Sequence, residues 1–436
     1  MRSTILWIVV VALMALGGVI AVLAIGGQPD PPALRAAAPL LDGAWRFHVG
    51  DDPHWADADA DDSAWETTNL SAPASSTDGD VGLPNYVAGW MAHGHPGYRG
   101  YAWYRRTVTV PAGHRAWDVL GPTAVEDGYE LYWNGVRLGG SGRLGASPRV
   151  VGTRPMIFAL PADAAGKTAV IAIRAYMQPG SDANADSGGV HVAPTIAPRP
   201  ESQALYRVQW WRTIAGYIVE VVEPAAIFAL VGLALVIRPR STHPGFIAFA
   251  CIALVLWALK RLDNAIVSWT DLLSLPTYVW LNALWTPLSL AAWTLAWNRW
   301  CLRFSRAIDG ATLVLAVVGI AGGAVHAIAV SRICRLGLLA LLVICVVRIV
   351  RGGPKRIMAV ATMTSILVAQ FAGELSSIGV PVTWFPFGIG VTLAQYAYAI
   401  AIPLLAWLIV RTLPAEGTSS VSASSATTRP HSGQVS

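Results

Sequence analysis

The sequence predicts a membrane α-helical bundle of seven spans, preceded by an N-terminal signal anchor, with an all-β jelly-roll or β-sandwich domain outside the membrane. Three observations carry that prediction. Of the 436 residues 54% are hydrophobic and only 13% are charged, the balance of a multi-pass membrane protein. Seven apolar segments of near-spanning length follow Tyr206. Between the first apolar run and those segments lies a stretch rich in Pro, Gly, Asp and Trp, which alternates polar and apolar residues and contains an Asn134-Gly135 hairpin signal.

Ile5 to Ile25 is apolar throughout and follows a single Arg2. Its length matches the roughly 20 residues needed to cross a bilayer, so residues 1–27 read as an uncleaved signal anchor. Small residues at Ala24, Gly26 and Gly27 keep a cleaved signal peptide open as the alternative. Either way the following segment is exported.

Residues 28–204 form the expected extracytoplasmic β domain. The runs AWRFHVG, YAWYRRTVTV, YELYW, VRLGG, PMIFAL and KTAVIAIRAY are separated by turn residues, as in an antiparallel sandwich. In YAWYRRTVTV, alternation sets Tyr104, Val108 and Val110 on one face and Trp103, Arg105, Thr107 and Thr109 on the other. Around Asn134-Gly135, Tyr129, Leu131 and Trp133 share a face. A long connection from Ser71 to Gly97 carries aromatics and two histidines, and loops of that length are functional or disordered.

The seven segments, in residues 205–412, are Thr213–Ile237, Gly245–Leu259, Tyr278–Trp297, Ala311–Val330, Cys334–Ile349, Ile357–Gly373 and Phe387–Val410. With the β domain outside, ten Lys and Arg fall in inside loops (Arg238, Arg240, Arg299, Arg303, Arg306, Arg348, Arg351, Lys355, Arg356, Arg411). Four fall outside (Lys260, Arg261, Arg332, Arg335), as the positive-inside rule requires. Residues 413–436 are rich in Ser and Thr and read as a disordered cytoplasmic tail, too short for a catalytic domain.

These features exclude several functions. The net charge of +5 comes from short loops rather than one basic face, so nucleic acid is not an expected partner. Cys251, Cys301, Cys334 and Cys345 lie in or beside apolar segments, leaving no disulfide framework for the β domain and no CxxC motif. His93-Gly94-His95 has no third ligand at a helpful spacing, so no metal is expected; no cofactor and no catalytic motif are expected either.

The stretches LDGAWRFHVGDDPHWADADADDSAWETTNL, GYAWYRRTVTVPAG and DGYELYWNGVRLGGSG, covering most of Leu41 to Gly142, resemble the galactose-binding-like sugar-binding jelly roll of family-2 glycoside hydrolases. Such a domain ahead of seven spans, with LWALKRLDNAIVSWTDLLSLP before an aromatic segment, is similar to the bacterial seven-transmembrane receptors with diverse intracellular signalling modules. The resemblance implies a multi-pass protein of the bacterial cytoplasmic membrane that binds a carbohydrate or similar polar ligand outside and signals inward. It departs from those receptors in having no kinase, cyclase or phosphatase module after the seventh span, so a separate cytoplasmic protein is the implied partner. The catalytic barrel of the hydrolases is missing as well, so hydrolysis does not carry over.

Candidate ligand contacts are Trp90, His93, His95, Tyr98, Tyr101 and Trp103, because aromatic faces stack on sugars while polar neighbours bind hydroxyls. The competing reading is that they cover an edge of the sandwich; Trp45, Trp65 and Trp133 are expected in the core. Within the spans, Glu220, Glu223, His326, Glu374, Lys260 and Arg261 form a candidate polar cluster, since an ionisable group in hydrocarbon must be paired or face a cavity. It reads as either a structural ion-pair network or a vestibule. Pro224 offers a hinge in the first span, and Gly319 with Gly323 a helix-packing face. Beside a sensor, the open alternatives are a membrane-embedded enzyme or transporter for envelope glycans or lipids, and a purely structural anchor.

Overall fold

The computed structural model describes residues 41–77, 84–145, 147–152, 154–179, 185–301, 304–325, 327–351, 356–384 and 390–414. The expected anchor at 5–25, His326 and the tail from 415 lie outside the described residues.

The N-terminal region is built from two antiparallel sheets. One has six strands: β1 (Ala44–Val49), β2 (Glu66–Asn69), β3 (Gly100–Thr109), β5 (Gly128–Trp133), β6 (Val136–Ser141) and β8 (Thr168–Met177), in the order β2-β1-β3-β8-β5-β6. The other has three, β4 (Trp117–Leu120), β7 (Ile157–Ala159) and β9 (Thr195–Pro198), with β4 in the centre. Trp45, Tyr104, Leu131 and Ile173 of the large sheet share one buried cluster with Val119, Phe158 and Ile196 of the small sheet, so the two sheets face each other. At the β5–β6 turn Asn134 and Gly135 adopt φ of 47° and 81°, which a two-residue hairpin demands and Asn-Gly supplies at least strain. The register Trp133↔Val136 follows.

The outer face of β3 differs from the half-buried strand expected. Trp103 and Arg105 are as buried as Tyr104, because the segment Asp51–Trp65 folds back over the sheet and packs Trp55, Ala56 and Trp65 on them. That segment looks like a polar loop in sequence; its two tryptophans make it a lid over the sheet.

Helix α1 (Arg199–Gly216) leaves β9 and is followed by α2 (Val219–Ile237), α3 (Pro244–Trp269), α4 (Leu275–Trp300), α5 (Arg306–Ala324), α6 (Ile328–Val350), α7 (Ile357–Gln370), the short α8 (Ala372–Ser377) and α9 (Leu393–Arg411). A two-strand ribbon, β10 (Thr383–Trp384) with β11 (Val391–Thr392), precedes α9. Among the described residues five helical stretches are long and apolar enough to cross a membrane: Arg199–Arg240, Pro244–Trp269, Arg306–Ala324, Ala329–Val350 and Leu393–Arg411. Ile357–Gln370 is apolar but shorter.

Several expected boundaries shift. The apolar run Ala311–Val330 is not one helix, since α5 ends at Ala324 and α6 starts at Ile328. The second segment extends to Trp269 because Lys260, Arg261, Asp263 and Asn264 all find partners inside the bundle. The first begins only after a break at Tyr217–Ile218, where Glu220 N–H and Val221 N–H make tight one-turn bonds to the carbonyls of Tyr217 and Ile218. Pro224, which has no N–H to offer Glu220, lies one turn beyond that break. A Cβ on Gly319 would lie 3.2 Å from Cys334 Cβ, and one on Gly323 would lie 3.2 Å from Ala283 Cβ, so these glycines let α5 approach α6 and α4 within the chain.

Candidate functional site

The long-loop aromatics do not converge on one pocket. Trp90 opens a short 3-10 turn (Trp90–His93) and is 2% exposed. Gly188 and Gly189, at φ of 101° and 83°, let the backbone lie against its ring, and its Nε1 donates to the Tyr98 carbonyl at 3.1 Å. The Tyr98 hydroxyl donates to the Tyr101 carbonyl at 2.6 Å and accepts from Gly50 N–H. His95 lies 3.0 Å from Glu66 and packs on Phe47. These three residues fasten the loop to the edge of the sheet, whereas His93 is exposed.

Tyr101 and Trp103 belong to the other face of β3. Trp103 has no exposed surface, sits between Trp55 and Tyr132, and donates Nε1 to Asp51 at 3.3 Å. Tyr101 lies against the Arg174 guanidinium at 4.3 Å. Arg174 is the centre of an ion network: its Nε and Nη2 donate to Asp51 at 2.7 and 2.6 Å and its Nη1 to Glu130 at 3.0 Å. Glu130 also accepts from Arg137 and from the Tyr132 hydroxyl. Burial, followed by the Glu130 carboxylate, pushes the Tyr132 hydroxyl up to about 12. Arg105 is held by Asp62 at 3.0 Å and by the carbonyls of Trp55, Asp57 and Ala60. Sequence reasoning missed this network, although alternation on β3 placed Arg105 beside Trp103 and thereby signalled a polar inner layer.

A second buried pair was also missed. His191 Nε2 lies 3.1 Å from Glu126, its Nδ1 lies 3.0 Å from the Val87 carbonyl, and Tyr86 stacks on its ring at 4.8 Å. Burial raises the Glu126 carboxyl, but hydrogen bonds from His191 and Gly188 N–H outweigh it and hold the group below its ordinary range.

Between the sandwich and the helices lies a cavity of about 320 Å³ lined by Ser141, Gly142, Arg143, Arg149, Arg154 and Asp271. Arg154 of the sandwich is ion-paired with Asp271 in the loop after α3, and Arg149 Nη2 reaches the Asp271 carbonyl at 3.5 Å. Beside it Leu275 N–H, at the start of α4, donates to the Val150 carbonyl at 3.0 Å. Leu275 also packs on the cluster of Leu144, Val150 and Tyr176. Gly152 sits against α3 so closely that a Cβ there would lie 2.4 Å from the Val267 carbonyl.

Inside the helical region the expected polar residues form two groups. Arg261 of α3 pairs with Glu220 and lies 3.7 Å from Glu223, both on α2. Glu220 also accepts from Asn264 at 3.4 Å and from Gln395 of α9 at 3.2 Å. Glu223 accepts from Trp257 Nε1 at 2.7 Å, and Trp257 stacks on Tyr398 at 4.4 Å. Glu374 pairs instead with Arg335, at 2.7 Å. Lys260 donates to Thr286 of α4 at 3.0 Å. Among the described residues no group of three His, Cys, Asp or Glu side chains is placed to hold a metal ion.

No family model and no curated protein matches this chain. Among solved structures, similar chains are β-glycosidases of glycoside hydrolase family 2. Bacteroides uniformis β-glucuronidase 2, covalently bound to cyclophellitol-6-carboxylate aziridine, is 20% identical with a TM-score of 0.28, over 36% of this chain and 17% of its own. A family-2 enzyme of Bacteroides cellulosilyticus is 19% identical with a TM-score of 0.26, over 37% and 20%. Faecalibacterium prausnitzii β-glucuronidase is 16% identical with a TM-score of 0.25, over 39% and 33%. The chain therefore spans a third or less of these proteins, and at such TM-scores neither its fold nor its activity rests on them.

Proposed function

We propose that the protein is a receptor-like protein of the bacterial cytoplasmic membrane. Its jelly-roll sandwich binds a carbohydrate or similar polar ligand outside, and seven helices, α2 to α7 and α9, relay the change to a separate cytoplasmic protein. The observation that carries the relay is the placement of α3. The loop at its outer end is held by Arg154 and Arg149 of the sandwich, and two turns inside that end its Arg261 anchors the carboxylates of α2. A ligand that binds two positions of the sandwich with different affinity shifts the population of two positions of α3 by that difference. The Lys and Arg distribution supports a cytoplasmic position for the loops at Arg299–Arg306 and Arg348–Arg356, where an acidic partner surface fits. The pairing of Glu220, Glu223 and Glu374 with arginines favours a structural network over a transport site.

A screen of neutral and acidic glycans against the full chain in lipid nanodiscs tests this, read by thermal shift and then by hydrogen exchange. Binding that slows exchange in the sandwich and alters it in α3 is the expected result. Binding with α3 unchanged rejects the relay, and no binding by any glycan rejects the carbohydrate ligand.

A further inference from the structure

We infer that the cavity between the sandwich and the α3–α4 loop is an oxyanion site, which takes a phosphate or similarly charged headgroup between Arg143, Arg149 and Arg154. The inference stands without the receptor reading, because it needs only the local geometry.

Three arginines and one carboxylate line the cavity, leaving two positive charges in excess, and Asp271 is engaged by Arg154. Arg143 and Arg149 face each other across an antiparallel bridge, closed by reciprocal backbone bonds of 2.9 Å. Like charges directly opposite on a bridge destabilise it, and an anion between them reverses the sign of that interaction. Arg143 has no side-chain hydrogen bond or ion pair among the described residues, and Arg149 has only one long bond to a carbonyl. Both forks are thus available, and the planar guanidinium matches an oxyanion with two parallel N–H donors. At about 320 Å³ the space exceeds one oxyanion, and Gly142 with Ser141 lines it with little side-chain bulk, so the attached group also fits. In the proposed topology this seam lies at the outer membrane surface, where both lipid headgroups and soluble phosphorylated or acidic compounds are available.

The test uses the full chain in uncharged phosphatidylcholine nanodiscs. Inorganic phosphate is titrated at constant ionic strength against chloride, and the midpoint of unfolding is recorded. The inference predicts a saturable stabilisation by phosphate that chloride does not reproduce, weakened about tenfold or more by Arg143→Gln. Asp271→Asn releases Arg154 and removes the one negative charge, so it is predicted to tighten phosphate binding at least several-fold, a gain that misfolding cannot imitate. Native mass spectrometry from phosphatidylglycerol nanodiscs then separates the sources. Lipid retained by the native chain and lost by Arg143→Gln assigns a headgroup, whereas phosphate binding without retained lipid assigns a soluble anion. Equal effects of phosphate and chloride, or phosphate and lipid binding both indifferent to Arg143→Gln and Asp271→Asn, overturn the inference.

Discussion

Arg154 of the sandwich and Asp271 of the loop that leaves α3 are ion-paired, and this contact joins a β region to a helical region that also meet through α1, through Gly152 against Val267 of α3, and at the start of α4. Asp271 is 68% exposed, and exposed pairs contribute only about 0–1 kcal/mol, so the pair positions rather than stabilises. Arg154→Gln is expected to leave global thermal stability nearly unchanged while raising amide exchange in 147–156 and 270–275. Unchanged exchange in both segments would show that the other seam contacts, the Leu275–Val150 backbone bond and the Gly152–Val267 packing among them, hold it without the ion pair.

Arg261 answers two carboxylates in a buried setting, so its loss is expected to be severe. Removing one partner of a buried pair costs roughly 3–5 kcal/mol because the remaining charge stays in a low-dielectric interior. Arg261→Met should lower the unfolding midpoint strongly, and adding Glu220→Gln and Glu223→Gln should recover much of the loss. A triple variant no more stable than Arg261→Met would contradict the network.

Glu126 gives the sandwich an acid-sensitive element. Its folded carboxyl is held below the ordinary 4.5. The stability it contributes is therefore complete above that value and is lost as pH falls through the folded one. Thermal unfolding followed from about pH 6 down to about pH 3.5 should show a steeper decline in the native chain than in Glu126→Gln. Parallel declines would show that Glu126 contributes no acid-sensitive stability.

Trp103 and His93 separate packing from binding among the loop and strand candidates. Trp103 is fully enclosed, and large-to-small changes of buried Trp cost about 3–5 kcal/mol, so Trp103→Ala should destabilise the sandwich sharply. His93 is exposed, and His93→Ala should change stability by less than about 0.5 kcal/mol. A glycan affinity lost with His93→Ala at full stability would assign it to the ligand.

What was legible in the sequence had a local cause. The hairpin at Asn134-Gly135 follows from two positive φ angles, the inward face of β3 from alternation at Tyr104 and Val108, and the apolar helices from run length. The missed features are nonlocal. Nothing near Trp55 and Trp65 in the chain says that they cover Trp103, because that contact depends on where β1 and β3 pair. The Glu126–His191 pair joins residues far apart in sequence, and the seam cavity needs a β loop and a helix terminus brought together. The run Ala311–Val330 is near-continuous in hydropathy, yet α5 ends at Ala324 and α6 begins at Ile328; length and apolarity do not report where a helix ends. Among the polar residues of the helices, Arg261 with Glu220 and Glu223 follows from the cost of burying charge, whereas the pairing of Glu374 with Arg335 depends on how α6 and α8 meet.

In the proposed topology the sandwich, with the α3–α4 loop it grips, lies across the membrane from the basic loops. Single cysteines at Asn134, Leu272 and Arg351, introduced after the four native cysteines are replaced by serine or alanine, can be labelled in intact spheroplasts with a membrane-impermeant maleimide. In that topology Asn134→Cys and Leu272→Cys are labelled directly and Arg351→Cys only after permeabilisation. Direct labelling of all three, or of Asn134→Cys and Arg351→Cys together, would contradict it.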